Sequence, residues 1–312
     1  MESSTKEVAC SFCRRFSRLD RVFCLACRRR LSHPALALSS SDFATFADQS
    51  MLGSLKATEP LPHLIEKIVS TGGKTSEGWL SKNGMLVGFP SRLDAMVRGV
   101  GEVLGIRRLP RVYVARTAEL NAFSAGTDDD PLLVICAPVF QALDYAGVEG
   151  LVAHELAHIA TRHVLYHTLA ESVSSGVQLA ASAFAAGMMS LPIRMMLLSW
   201  YRESEASADR ASLLFLGDPR KFESMMAALS GVQRVNGSTP AGDLAELMQT
   251  HPNEANRLRL AREYWSGTDC AAVRGKLIAA ANSSALMAFC RRCGLVSPKT
   301  EPFCPVCGVS RA

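Results

Sequence analysis

The spacing of apolar and polar positions divides the chain into a middle that changes period and two ends that have none. Residues 61–70, "LPHLIEKIVS", and 91–106, "SRLDAMVRGVGEVLGI", carry apolar residues at helical spacing. After Pro110 the period drops to two in "RVYVARTAELNAFSAG", and a short apolar run follows in "DPLLVICAP", behind three aspartates. From Val139 onward the pattern is helical almost throughout. The expected fold class is therefore α+β, mainly α, with a small sheet just before one helix of unusual composition. A stretch with Pro and clustered Ser, "LSHPALALSSSDFATF", reads as a linker. The expected organisation is an N-terminal module over 1–33, a linker over 34–55, a main domain over 56–285 and a C-terminal module over 286–312.

At 312 residues and 48% hydrophobic content the chain can bury one sizeable core, which excludes a disordered or fibrous protein. The N-terminus "MESSTKEVAC" has no basic stretch followed by an apolar one, so a cytoplasmic location is expected. Charge is uneven. Residues 1–33 carry eight Lys/Arg against three Asp/Glu, residues 290–312 four against one, and the stretch between them 22 against 25. Attraction to an anionic partner therefore belongs to the ends.

Those ends also hold eight of the ten cysteines, in four C-x2-C pairs: Cys10/Cys13, Cys24/Cys27, Cys290/Cys293 and Cys304/Cys307. At both ends ten residues separate the pairs, the spacing with which two tight turns present four thiolates to a tetrahedral zinc ion. Two zinc ribbons, each with a structural zinc, are expected, and without secretory features a disulfide framework is disfavoured. Modules this small need the metal in order to fold. Phe12, Phe16, Phe23 and Phe303 can stack on nucleic-acid bases or form the small core of each ribbon; the second use is the commoner one in modules of this size. Cys136 and Cys270 lie in apolar surroundings and read as buried thiols.

The helix of unusual composition contains "VAHELAHIATRH". His154 and His158, four apart, project from one face of a helix about one turn apart, as two zinc ligands require. Glu155 is placed to polarise a zinc-bound water and move its proton. His163 and His167 repeat the spacing, but continuing the same helix turns His163 about half a turn away from His154, so a solvated or outer-layer role is expected. Thr161 and Val164 stand where a metzincin needs Gly and His, which excludes a third histidine ligand there. Downstream, "WYRESEASADRAS" offers Glu203 and Glu205. Glu205 shares a helix face with Asp209, so one carboxylate can ligate zinc while the other holds a ligating histidine; Glu203 has no such partner.

Taken in order, "GVEGLVAHELAHIATRH", "YRESEASADR" and "THPNEANRLRLA" resemble the CAAX prenyl protease and HtpX-like family of zinc metallopeptidases, over roughly residues 60–265. That resemblance implies a gluzincin-type core, one catalytic zinc and a protein or peptide substrate. It makes Glu205 the third ligand and Asp209 the residue that orients a ligand. It also places His251 and Arg257 around the oxyanion or above the metal. "NAFSAG" is similar to the family's edge strand, so Asn121, Ala122 and Phe123 are expected to pair with an extended substrate. His251 can alternatively ligate the metal in a resting state.

Many members of that family carry transmembrane helices, and residues 172–193 of this chain contain no charge. His158 and Glu205 must nevertheless meet at one ion, so any crossing between them has to be paired. Two crossings need about 40 apolar residues plus a turn. Only 46 residues separate the two ligands, with Arg162, Glu171, Arg194 and Arg202 among them. No span is expected, although peripheral contact with lipid is compatible with the composition. The rival to a peptidase is a ribbon-based binding protein for nucleic acid or an acidic partner, its central domain acting locally or inactive.

Overall fold

The computed structural model describes residues 38–59, 78–88, 91–175, 191–233 and 254–283, with Leu61, Ile65 and short stretches of both termini. The order of elements in the body is as follows. A 3-10 turn at Ser40–Asp42 leads into α1 (Phe46–Ala57); then come β3 (Gly84–Leu86), α2 (Arg92–Val103), β4 (Arg111–Ala115), β5 (Ala122–Gly126) and β6 (Pro131–Cys136). A one-turn α3 (Val139–Ala142) precedes α4 (Tyr145–Ala160), α5 (Val164–Ser175), α6 (Leu191–Leu216), α7 (Pro219–Gln233), α8 (Glu254–Ser266) and α9 (Thr268–Ser283). Two hairpins flank this body: β1 (Glu7–Ala9) with β2 (Phe16–Arg18), and β7 (Met287–Phe289) with β8 (Val296–Pro298).

The body is mostly helical with one mixed sheet in the order β3-β4-β6-β5. β6 is the apolar "PLLVIC" run and is buried along its whole length, because it lies parallel to β4 on one side and antiparallel to β5 on the other. The period-two stretch before it reads as one strand but forms two, split at residues 116–121 and placed on opposite sides of β6. Alternation then assigns the faces: Leu133 and Ile135 join the main core, while Leu132, Val134 and Cys136 join a smaller one with Leu80. The second isolated cysteine, Cys270, is also buried.

The expected linker over 34–55 is largely ordered structure. α1 is capped by Thr45, whose side chain accepts from the Asp48 N–H, and it buries Asp48, Leu52 and Leu55 along one face. A carboxylate at the first position of that buried face hides the apolar period from a sequence reading. The face packs on a second core with Tyr166, Leu169, Leu197, Trp200 and Tyr201. Of the helix expected over 61–70 only Leu61 and Ile65 lie within the described residues; both are buried in the same core. Among the described residues no helix is long and apolar enough to cross a membrane. Residues 176–190, the centre of the uncharged stretch, lie outside them.

Candidate metal centre

α4 begins at Asp144, whose carboxylate accepts from the Gly147 N–H at 2.8 Å, and it runs through the main core against α6. Gly150 sets how close the two helices come: a Cβ there would stand 2.8 Å from a Leu216 methyl. At this separation α4 faces His154 and His158 toward Glu205 on α6. The Nε2 atoms of the two histidines are 3.3 Å apart. Glu205 Oε2 is 3.6 Å from His154 Nε2 and its Oε1 is 3.4 Å from His158 Nε2. A tetrahedral ion with bonds of about 2.0–2.2 Å holds its ligands about 3.3–3.5 Å apart, so the two nitrogens and one carboxylate suit zinc in both chemistry and spacing. Glu203 is not part of this group; its carboxylate accepts from the Thr45 hydroxyl at 3.4 Å.

The other ring nitrogen of His154 is held by a carboxylate: Nδ1 is 3.1 Å from Asp209 Oδ1, one turn beyond Glu205 on α6. Asp209 is in turn gripped by Arg257 of α8, with Nε donating at 2.8 Å and Nη2 at 2.6 Å. Arg257 Nη1 also lies 3.4 Å from Glu205 Oε2. The resemblance placed Arg257 around the oxyanion or above the metal; in the structure its guanidinium engages these two carboxylates. Burial disfavours a charged His154, yet Asp209 and Glu205 overcome it and raise its basicity to about 10. The carboxylate pair thus calls for positive charge at this point of the site.

Glu155 is buried, and burial pushes its carboxyl up to about 7. Its Oε2 accepts from the Ser124 hydroxyl at 3.1 Å. Ser124 is on β5, one of the two edge strands of the sheet, where Ala122 and Ser124 share the face toward α4 and Phe123 packs on the smaller core. Asn121 precedes the strand, and its carbonyl accepts from the Cys136 N–H at 2.9 Å. Ser124 follows directly on the three residues expected to pair with substrate. The alternation that put Ala122 on the inner face was the signal for Ser124.

His163 and His167 take the outer-layer place expected as one alternative and not the solvated one, and His163 does not face away from the site. α4 ends at Ala160, Arg162 takes a positive φ of 60°, and α5 starts at Val164, so His163 does not continue the α4 spiral. The break folds both rings back against His158. His163 Nδ1 is 3.2 Å from His158 Nδ1, and the His167 ring centroid is 4.1 Å from that of His158. Both are buried rather than solvated, and His167 Nε2 meets the Ser204 hydroxyl at 2.6 Å.

At the N-terminus, one sulfur each from Cys10, Cys13 and Cys27 lie within 4.8 Å of one another, with Cys10 Sγ and Cys27 Sγ 3.6 Å apart. Zinc bonds of about 2.3 Å to sulfur give ligand separations of about 3.8 Å, so this set also suits the ion. Cys24, Cys290, Cys293, Cys304, Cys307 and His251 lie outside the described residues.

Comparison with known proteins agrees in position with this geometry. The Arabidopsis thaliana plastoglobule-localized metallopeptidase 48 is 30% identical over 142 residues, covering 45% of this chain and 40% of that protein. A protease HtpX homolog of Acaryochloris marina is 26% identical over 193 residues, 48% of this chain and 64% of the relative. Another, of Ralstonia nicotianae, is 25% identical over 202 residues, 51% and 70%. The chain thus spans well under two thirds of the first of these relatives and just under two thirds of the second. No solved structure matches. The model of Peptidase family M48 matches residues 91–265, more than half of the chain, running from α2 through α8 and including His154, Glu155, His158, Glu205, Asp209 and Arg257, so the chain belongs to peptidase family M48.

Proposed function

We propose that the chain is a zinc-dependent endopeptidase with His154, His158 and Glu205 as metal ligands and Glu155 as the proton-transferring group. The observation that carries this reading is the buried three-donor set, its nearest atoms 3.3–3.6 Å apart, with the buried carboxylate of Glu155 next in sequence to the first donor. Zinc, when bound, supplies Lewis-acid polarisation of a water and of the scissile carbonyl. Glu155 takes the proton of the attacking water and returns it to the leaving amine. Ser124 fixes the rotamer in which it does so. An extended substrate adds to the outer edge of β5; within the expected Asn121–Phe123 segment it is Ala122 whose backbone groups face that edge, since Asn121 and Phe123 turn theirs to β6. Because Ser124 of that strand touches Glu155, a peptide paired there passes the proton acceptor. Asp209 orients His154, and Arg257 holds Asp209 and Glu205 in place. His251 is read as an assisting group near the oxyanion or as a ligand at rest.

The cysteine sets at the two ends are read as zinc ribbons, each with one structural ion, that stabilise the termini or recruit a partner. At the N-terminal one, the Arg28 carbonyl accepts from the Leu109 N–H at 3.1 Å and its guanidinium lies 3.5 Å from Asp94, which supports a ribbon docked on the body. The test of the whole scheme is zinc content. Three ions in the intact chain, two in Glu205→Ala and no peptidase activity in that variant are expected; three ions in Glu205→Ala would move the third ligand elsewhere.

A further inference from the structure

The two histidine ligands are served by different outer partners, and one of those partners comes from outside the family-matched segment. Asp48 lies on α1, before residue 91. It is fully buried, and its carboxylate accepts three hydrogen bonds. Trp200 Nε1 donates to Oδ1 at 2.9 Å, the Ser207 hydroxyl donates to Oδ2 at 2.6 Å, and His163 Nε2 lies 3.1 Å from Oδ1. If His163 Nε2–H donates to Asp48, its Nδ1 carries a lone pair. That lone pair faces His158 Nδ1 across 3.2 Å. His158 then donates its Nδ1–H and is left with Nε2 as its lone-pair nitrogen, the atom that faces Glu205 and His154. One set of tautomers therefore satisfies every contact of the chain Asp48, His163, His158.

We propose that His163 and Asp48 form a positioning relay that fixes the tautomer and ring orientation of His158 as a metal ligand, an inference that rests on the metal centre proposed above. A ligating histidine ordinarily gives its second N–H to a carboxylate or carbonyl. Here an imidazole stands between the ligand and the carboxylate, and the break at residues 161–163 puts it there. His167 packs against the His158 ring, with its Nε2 engaged with Ser204.

The test is zinc affinity by chelator competition on the full chain, reading the step that disappears in Glu205→Ala. His163→Phe keeps the volume and removes the acceptor; His163→Asn loses volume but puts Oδ1 where Nδ1 stood. The relay requires affinity to follow the acceptor: about 10- to 100-fold weaker zinc binding in His163→Phe and recovery of most of that loss in His163→Asn. Wild-type affinity in His163→Phe, or a larger loss in His163→Asn than in His163→Phe, would overturn it, because packing would then be the whole role. Should His163→Phe fail to fold, Asp48→Asn carries the same test, with at least a severalfold loss expected and an unchanged affinity fatal. Loss of a whole zinc equivalent in His167→Ala would also overturn it, since the paired Nδ1 atoms would then be ligands to a second ion. A wild-type chain with no zinc step dependent on Glu205 would sink the metal centre itself, which separates that failure from failure of the relay.

Discussion

His154 and His158 sit one turn apart on one helix, yet the structure supports them by different means. On the His154 side a carboxylate touches the ring directly and a guanidinium grips that carboxylate at two points. On the His158 side the carboxylate is one imidazole further out and is held by neutral donors, Trp200 and Ser207, besides His163. The first arrangement concentrates opposite charges in a buried volume, so its members are costly to remove singly. The second distributes modest hydrogen bonds over several elements, so it tolerates loss of charge better while remaining sensitive to geometry.

Asp209→Asn should break this contrast at its stronger end. It leaves Arg257 buried with a weakened partner, and the expected cost is about 3 kcal/mol of stability together with 10- to 100-fold weaker zinc binding. Denaturant melts and chelator competition measure the two effects. Asp48→Asn should cost less, about 1–2 kcal/mol, because no buried cation loses its partner; equal losses in the two variants would erase the distinction. Ser124→Ala acts on Glu155 alone. Losing one hydrogen bond there should lower kcat about two- to tenfold with zinc content unchanged.

The smallest effect belongs to a carboxylate that lacks such support. Glu149 lies on α4 five residues before His154, and burial, eased by Lys221, pushes it up to about 7. Its folded value is above the unfolded one, so its protonated form favours the fold. That contribution is present below the unfolded value and is lost as pH rises from about 4.5 toward 7. Glu149→Gln should therefore flatten this part of the stability profile and gain about 1 kcal/mol above pH 7 for a group that is only partly buried. A melt series across that range checks it; an unchanged slope would show that Lys221 cancels the burial.

The same contrast governs what could be read from the sequence. His154, His158, Glu205 and Asp209 occupy i, i+4 positions on two helices, so simple periodicity brings each pair together. The contact between the pairs does not follow from periodicity; it takes the count of ligands a zinc ion needs, together with the family resemblance, to reach it. The relay spans α1, the α4–α5 break and α6, and a single residue with positive φ, Arg162, decides whether His163 faces the site or leaves it. A reading that continues the helix cannot find it. Asp48 was hidden twice, inside a stretch taken for a linker and at a buried position where an apolar residue is expected. The sheet was visible in its composition but not in its order, because strand alternation does not say that β6 inserts between β4 and β5.

The central claim, hydrolysis by a zinc centre with Glu155 moving the proton, is tested most directly by Glu155→Gln against an unfolded model substrate, with zinc content measured on the same samples. The expected result is unchanged zinc and cleavage reduced about 10²- to 10⁴-fold. Cleavage that persists undiminished in zinc-loaded Glu155→Gln would contradict it.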